Sequence, residues 1–304
     1  MSRRQALSRY NLIIKKLRKQ PLSFQEISDY LDYESELQDE NLCISTRTFQ
    51  RDVKDIFNLY RIDIQFDRSR KVYYIDSDTQ PEINERIAEA FDTFQAFNLT
   101  SRLSEHIHFE KRKPKGTENL HGLLHAIKNG LQINFTYQKY WADALTERTV
   151  QPYALKEFKN RWYVLAKDFK DQQVKVFALD RLSDLEITKI KFVTPEGFDV
   201  ADYYRHCFGI MSANAARPEE VILSFDTFQG QYIKSLPLHN SQEILVDNDS
   251  EIRVKLNLFI THDFVMELLS HGASVKVLQS QSLIEELKSV YQAALDTYAP
   301  PRIK

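Results

Sequence analysis

Residues 44–60 read ISTRTFQRDVKDIFNLY, a stretch with the spacing of an amphipathic helix. Its apolar side chains recur three or four positions apart and share one buried stripe: Phe49, Val53, Ile56 and Tyr60. Ser45 has the side chain that an N-cap position favours. The opposite face carries long polar donors at Arg47, Gln50, Arg51, Lys54 and Asn58, with Asp52 and Asp55 to its side. This stretch therefore predicts a helix with one buried face and one cationic face.

The flanking segments predict that this helix is the third of a winged helix-turn-helix domain over residues 1–80. Residues 3–19 and 24–40 each show a helical apolar pattern, and Pro21 separates them. Two alternating segments follow at 62–66 and 71–75, which predict a hairpin. Three helices and a hairpin are the elements of that fold, whose third helix enters the major groove of DNA.

Candidate DNA contacts lie on the third helix and in the hairpin, or wing. Arg and Gln make bidentate contacts with guanine and adenine, whereas Lys and a helix N-terminus suit phosphates. The residues identified in this way are Ser45, Thr46, Arg47, Thr48, Gln50, Arg51, Lys54, Arg68, Arg70 and Lys71.

The first 80 residues have a small net charge, but their positive and negative charges lie on different elements. Residues 1–80 hold 14 Lys and Arg against 13 Asp and Glu, a net charge of +1. Helices one and three and the wing are basic, and helix two is acidic. Because backbone binding needs a basic footprint on one face, we favour a DNA-binding face over a merely solvated one.

The composition limits the number of domains and the classes of partner that the chain is expected to have. At 304 residues the chain can hold two or three domains, and 42% hydrophobic residues suffice for several cores. The net charge of −2 gives no global sign of a nucleic-acid or membrane partner. We expect no signal peptide, no membrane partner and a cytoplasmic location. Cys43 and Cys207 form no CxxC pair and are expected to be reduced thiols.

Residues 81–118 are predicted to connect the first domain to the next, through a helix and a basic linker. The helix has apolar residues near helical spacing, which suit either a dimer seam or packing within the chain: Ile83, Ile87, Phe91, Phe94 and Leu99. The KRKPK run at 111–115 reads as a solvated linker, with contact to DNA as the alternative.

No catalytic or metal centre is expected. His121 and His125 stand four residues apart, as zinc ligands do, but neither HExxH nor a third ligand accompanies them. His106 and His108 offer no better set. The sequence also contains no Gly-rich phosphate loop and no nucleophile elbow. We therefore predict a protein that is not an enzyme and uses no cofactor.

Residues 119–200 predict a five-stranded β-barrel of the SH3 or Sm type. After one helix, short strands with tight connections are predicted at 132–137, 148–155, 161–167, 173–179 and 182–188. The barrel rim would present aromatic rings and guanidinium groups from Tyr137, Arg148, Arg161 and Arg181. These groups favour an anionic ligand with stackable rings, such as a nucleotide or a nucleic-acid end. On spacing alone, Trp162 and Tyr163 read as barrel filling.

Residues 217–304 show the order β-α-β-β-α-β followed by one more helix. This order is the ferredoxin-like arrangement, which hosts many functions and identifies none. Sensing and dimerisation are its usual non-catalytic roles. The whole chain is thus predicted to be an α+β multidomain protein.

Three features together resemble the WYL-domain transcriptional regulators. Residues 45–67 followed by KVYYI resemble the recognition helix and wing, RWYVLAKD at 161–168 resembles the motif that names the family, and KVFALDRLSDLEI resembles its closing strand pair. The ferredoxin-like segment resembles the extension after the WYL domain. Val164 replaces the common leucine of the motif. Arg61 stands where the family often has a turn glycine, which affects the expected angle of the wing.

The resemblance implies a bacterial homodimer that binds a double-stranded DNA operator and acts as a repressor or an activator, here most simply a repressor. The WYL domain, an Sm-like barrel, would sense a nucleic acid or nucleotide effector through Tyr137, Arg148, Trp162, Tyr163 and Arg181. Since adjacent strand residues point to opposite faces, only one of Trp162 and Tyr163 can line the rim directly. An RNA-binding or single-strand-binding module, in which the barrel is the main site, is the alternative.

Overall fold

A computed structural model describes residues 3–38, 40–81, 83–91, 93, 116–140, 144–211 and 217–298. The chain divides into two compact units, Met1–Glu110 and Lys111–Lys304. It is a mixed α/β protein whose sheets have two, four and five strands. None of the helices in the described ranges has the length and apolar composition of a membrane span.

The first unit contains the predicted order of helices and strands: α1 (Arg3–Leu17), α2 (Phe24–Gln38), α3 (Thr46–Tyr60), β1 (Ile62–Asp67) and β2 (Val72–Asp78), followed by α4 (83–91). Ser23 and Glu26 form a reciprocal cap at the start of α2, with backbone N–H bonds of 2.7 and 3.3 Å. Ser45 accepts the N–H of Thr48 at the start of α3. At the end of α3, Arg61 adopts the left-handed conformation at φ 56°, which is the geometry that a glycine would favour.

The core of the first unit joins the three helices to the hairpin. Ile13, Ile27, Leu31, Phe49 and Ile56 are fully buried within it. The stripe predicted for α3 is present, since Tyr60 is also buried and Val53 packs against the same cluster.

One expectation for α1 is wrong. The apolar stripe of residues 3–19 predicts that the basic residues of this helix lie on its remaining faces, but Arg9 has no exposed surface. Its guanidinium reaches Asp52 of α3 through Nε–Oδ2 at 2.5 Å and Nη2–Oδ1 at 3.0 Å. A buried guanidinium is tolerated because a carboxylate, equally buried, matches its charge and its geometry.

The second unit begins with α5 (Leu120–Asn129), which ends at Gly130 in the left-handed conformation. Five antiparallel strands follow: β3 (Leu131–Lys139), β4 (Ala144–Phe158), β5 (Arg161–Asp168), β6 (Val174–Ala178) and β7 (Leu182–Lys191). Their order in the sheet is β6-β5-β4-β3-β7. β4 is much longer than predicted and pairs with both β3 and β5, with a register irregularity between Pro152 and Ala154.

A short helix, α6 (Val200–Tyr204), leads to a second sheet. Its elements are β8 (Glu219–Phe225), α7 (Thr227–Ser235), β9 (Glu243–Asp247), β10 (Ile252–Leu258), α8 (His262–Ser270), β11 (Val275–Gln279) and α9 (Gln281–Tyr298). The strand order is β11-β8-β10-β9, and every pair is antiparallel. Apolar residues alternate along β10, as a strand with one buried face requires, and Ile252, Val254, Leu256 and Leu258 are all inaccessible.

Several sequence predictions fall outside the described residues. They are the end of the connecting helix at 94–103, the basic KRKPK run at 111–115, and His106 and His108.

Candidate functional sites

The outward face of α3 is cationic. Arg47, Gln50, Arg51 and Lys54 are exposed, and each lies on the side of the helix away from its buried stripe. Ser45 is the N-cap, and its hydroxyl also lies 3.0 Å from that of Thr48. The exposed N–H groups of a helix start suit an anion, and the arginine forks suit base edges or phosphates.

The two acidic residues of α3 point away from this face. Asp52 is buried against Arg9, and the Asp55 carboxylate accepts a 2.9 Å hydrogen bond from the Tyr10 hydroxyl. The sequence placed both carboxylates at the side of the donor face. Asp52 Oδ1 also lies 4.0 Å from Nη2 of Arg51. Because both carboxylates are bonded to α1, the charged groups exposed on the outward surface of α3 are its cations.

The wing presents further cations at its turn. The Asp67 carboxylate accepts the N–H groups of Ser69 and Arg70 at 2.8 and 3.1 Å, which shapes the turn between β1 and β2. Arg68, Arg70 and Lys71 are all exposed there. The DNA-contact candidates of the helix and of the wing thus belong to one unit and remain accessible to solvent, except Thr48, which is half-buried.

A cavity of about 300 Å³ in the second unit brings together four of the five predicted effector residues, Tyr137, Arg148, Tyr163 and Arg181. They come from three different strands and from the short turn before β7. The rest of the lining is Lys139, Asp168, Lys175, Val176, Phe177, Ala178 and Ile210. Its charged side chains are four cations and one carboxylate, so the cavity favours an anion.

Arg148 is more buried than a rim position implies. It is 6% exposed, and its Nη1 lies 2.9 Å from Oδ2 of Asp168, itself 1% exposed. Lys175 approaches the same carboxylate oxygen at 3.2 Å. Arg148 is therefore a paired cation in the lining, and Lys175, which shares its carboxylate, also pairs with Asp171.

Two tyrosines give the cavity neutral hydroxyl groups. Burial raises the pKa of Tyr137 and of Tyr163 above the ordinary tyrosine value. The Tyr137 oxygen accepts the N–H of Ala178 at 3.3 Å, which fixes that ring beside β6. At neutral pH both hydroxyls stay protonated and do not offset the positive charge of the lining.

Arg181 is a lining cation that keeps one donor without a partner among the described residues. Its guanidinium lies over the Tyr140 ring, 4.2 Å from the centroid, in a cation–π contact. Its Nε is buried and has no hydrogen-bond partner among the described residues. A buried donor without a partner is costly, and an anionic oxygen would satisfy it.

The Trp162–Tyr163 pair divides between core and cavity. Trp162 packs against the hydrophobic cluster of the five-stranded sheet, which includes Val164 and Ala166 on the same face of β5. Tyr163 points to the other face and lines the cavity. Arg161 is exposed and bonds Asp180 at 2.9 Å, outside the lining.

Sequence reasoning missed several lining residues. Asp168 ends the stretch that resembles the naming motif. Lys175 lies in a predicted strand and Lys139 just beyond the end of another, so the sequence shows these charged residues near the site. Their convergence depends on strand register. Within the described ranges, no three His, Cys, Asp or Glu side chains cluster as metal ligands.

Comparison with known proteins identifies two domains. The WYL domain model matches residues 118–187 and the WCX domain model matches residues 217–295. Protein PafB of Mycobacterium bovis and of Mycobacterium tuberculosis is 24% identical over 178 residues, 57% of this chain and 52% of the relative. The chain therefore covers about half the length of these curated relatives.

Two solved structures show weak overall likeness. Proteasome accessory factor B/C (PafBC) of Arthrobacter aurescens aligns with 99% of this chain and 48% of its own, at 18% identity and a TM-score of 0.39. A CRISPR Cas-related protein aligns with 60% of this chain and 52% of its own, at 14% identity and a TM-score of 0.39.

Proposed function

We propose that this chain, in which a WCX domain follows a WYL domain, is an effector-responsive transcription regulator that binds double-stranded DNA. The proposal assigns DNA binding to the first unit and effector binding to the cavity of the five-stranded sheet. It involves no catalytic step and no cofactor.

The proposal includes finer assignments of fold. Residues 1–80 would be a winged helix-turn-helix domain, 81–118 a connecting helix and linker, 119–200 an Sm-like barrel and 217–304 a ferredoxin-like extension. The order of three helices and an antiparallel hairpin supports the first assignment. The strand order β11-β8-β10-β9, in which the fourth strand flanks the first, supports the last.

The outward face of α3 is the observation that carries DNA binding. Its Arg47, Gln50 and Arg51 are exposed, while both carboxylates of the same helix are bonded to α1. In a winged helix-turn-helix, this face would enter the major groove, where Arg and Gln read guanine and adenine. The wing cations Arg68, Arg70 and Lys71 would contact the neighbouring phosphates.

The composition of the cavity supports a nucleic acid or nucleotide as effector. It combines an excess of cations, two tyrosine rings and the buried Nε of Arg181, which has no partner in the part of the chain that the structure describes. Guanidinium groups bind phosphate oxygens, and aromatic rings stack on bases.

The mechanism we propose is a repressor that acts as a homodimer. Two copies of α3 would occupy half-sites about one helical turn of DNA apart, or a multiple of it. The effector would alter the spacing or orientation of those helices. A tenfold change in operator affinity requires about 1.4 kcal/mol of difference in effector binding between the two arrangements.

A mobility shift tests the DNA-binding part of the proposal. The full chain is titrated against the duplex upstream of its own gene and against a scrambled duplex of the same length. We expect tighter binding to the first at physiological salt. Equal affinity for both, together with tighter binding to single-stranded DNA or RNA, would favour the alternative in which the barrel is the main nucleic-acid site.

Replacing Arg181 with Ala tests the effector site. We expect the affinity for the short single-stranded oligonucleotide that alters duplex binding to fall about tenfold. This is the effect of losing one charged hydrogen bond. The fold should survive, because Arg181 forms no ion pair within the described residues. Arg161→Ala is the matched control, since Arg161 bonds Asp180 outside the lining. An unchanged response in Arg181→Ala would contradict this assignment.

A further inference from the structure

The segment 206–211 joins the five-stranded sheet to the four-stranded sheet within the second unit. Its Ile210 lines the cavity described above, although it lies more than 20 residues beyond the end of the WYL match. Phe208 packs edge-on against Phe158 of β4, with ring centroids 5.8 Å apart. It also contacts Phe264 of α8 at 5.4 Å. The segment is therefore held from both sides.

The side chain of Asp263, the second residue of α8, bonds the backbone of this segment. Its Oδ2 accepts the N–H of Ile210 at 3.1 Å and that of Met211 at 3.2 Å. Gly209 lies so close to this carboxylate that an added Cβ would stand 2.5 Å from Oδ2. A residue with a side chain could not occupy that position without moving the carboxylate or the segment.

Lys156 of β4 holds the same segment from the side of the five-stranded sheet. Its Nζ donates to the Gly209 carbonyl at 2.6 Å and lies 3.8 Å from the centroid of the Tyr204 ring. Burial lowers the pKa of Lys156, and the nearby Asp263 opposes that shift. A cation from one sheet domain and a carboxylate from the other thus bond opposite sides of the same peptide group, between Gly209 and Ile210.

We propose that Asp263, which lies in the WCX domain, is a positioning residue for the effector cavity. It fixes Ile210 in the wall of that cavity. This inference rests on the proposed effector site. It makes the WCX domain a determinant of effector affinity even though Asp263 is not part of the lining. An effector that displaces Ile210 would have to break the bonds to Asp263, so occupancy of the cavity and the position of α8 are coupled.

Hydrogen exchange of the full chain tests the positioning without any ligand. In Asp263→Ala, the amides of Ile210 and Met211 should exchange at least about tenfold faster, because both lose their acceptor. Asp263→Asn should restore slow exchange, since both N–H groups use one oxygen that an amide carbonyl can replace. Glu267→Ala is the matched control one turn later on α8, where it removes the exposed contact to Lys159.

The affinity for an eight-nucleotide single-stranded DNA, followed by fluorescence anisotropy, tests the consequence for the cavity. We expect about tenfold weaker binding in Asp263→Ala and near wild-type binding in Asp263→Asn and Glu267→Ala. Ile210→Ala should weaken binding as well. In a double-mutant cycle, Asp263→Ala should add little to Ile210→Ala if the carboxylate acts through that side chain.

The outcomes separate this inference from the proposed function. Unchanged exchange in Asp263→Ala overturns the positioning role. Faster exchange with unchanged oligonucleotide affinity overturns the link to the cavity. A wild-type chain that binds no oligonucleotide refutes the proposed effector, and the exchange data then decide alone whether Asp263 positions Ile210.

Discussion

Replacing Arg47 and Arg51 together with Ala is expected to weaken binding to the specific duplex by at least about 30-fold, because each arginine that reads a base contributes about 1–3 kcal/mol. Both side chains are exposed on the outward face of α3 and can be removed without disturbing its buried stripe. Fluorescence anisotropy of a labelled duplex measures the loss. Far-ultraviolet circular dichroism of the same variant checks that the helices remain.

A control that removes equal charge separates base reading from general electrostatics. Lys189→Ala with Lys191→Ala deletes two exposed positive charges from β7 in the second unit. It should change specific binding little, because neither lysine belongs to the proposed recognition helix or wing. If both double variants lost the same affinity, α3 would not be the recognition element. If Arg47→Ala with Arg51→Ala still bound the specific duplex normally, the DNA-binding assignment would fail.

Replacing Asp52 with Ala is expected to lower the free energy of unfolding of the first unit by about 3–5 kcal/mol, because it leaves the Arg9 charge buried without its partner. Neither side chain of this pair has any exposed surface, and two hydrogen bonds join them. Urea unfolding followed by circular dichroism measures the change. Such a loss is a large fraction of the stability of a small domain.

Two companion variants show whether the buried charge is the cause. Arg18→Ala breaks an ion pair to Asp78 that is partly exposed to solvent, and it should cost no more than about 1 kcal/mol. Arg9→Met with Asp52→Leu removes both buried charges and should recover most of the loss from Asp52→Ala. A double variant as unstable as Asp52→Ala alone would show that lost packing, not the unpaired charge, sets the cost.

The order of helices and strands was predictable because burial follows the period of each element. The α3 stripe and the alternating residues of β10 could be read directly, since a helix buries every third or fourth residue and a strand every second one. Arg9 could not be found in this way. Its burial depends on Asp52, 43 residues later in the chain, and a charged residue on a helix is otherwise expected to face water.

The types of the site residues were predictable, but their arrangement was not. Arg148 was identified by its chemistry and Tyr163 by the family resemblance, and both lie in one cavity. The partner of Arg148 depends on register: Val150 pairs with Asp168, which places that carboxylate two residues along the same face from Arg148. The sequence also gives no sign that Ile210 returns to this cavity, because that contact depends on how the segment 206–211 packs between two sheets.

The most direct test of the account is a titration of the chain into its specific labelled duplex, with and without a short single-stranded oligonucleotide. We predict high-affinity binding that the oligonucleotide weakens about tenfold, which corresponds to about 1.4 kcal/mol of coupling. The Arg181→Ala chain should bind the duplex equally well and lose most of that response. A chain that does not distinguish the specific duplex from a scrambled one, or binds only the single strand, would contradict the account.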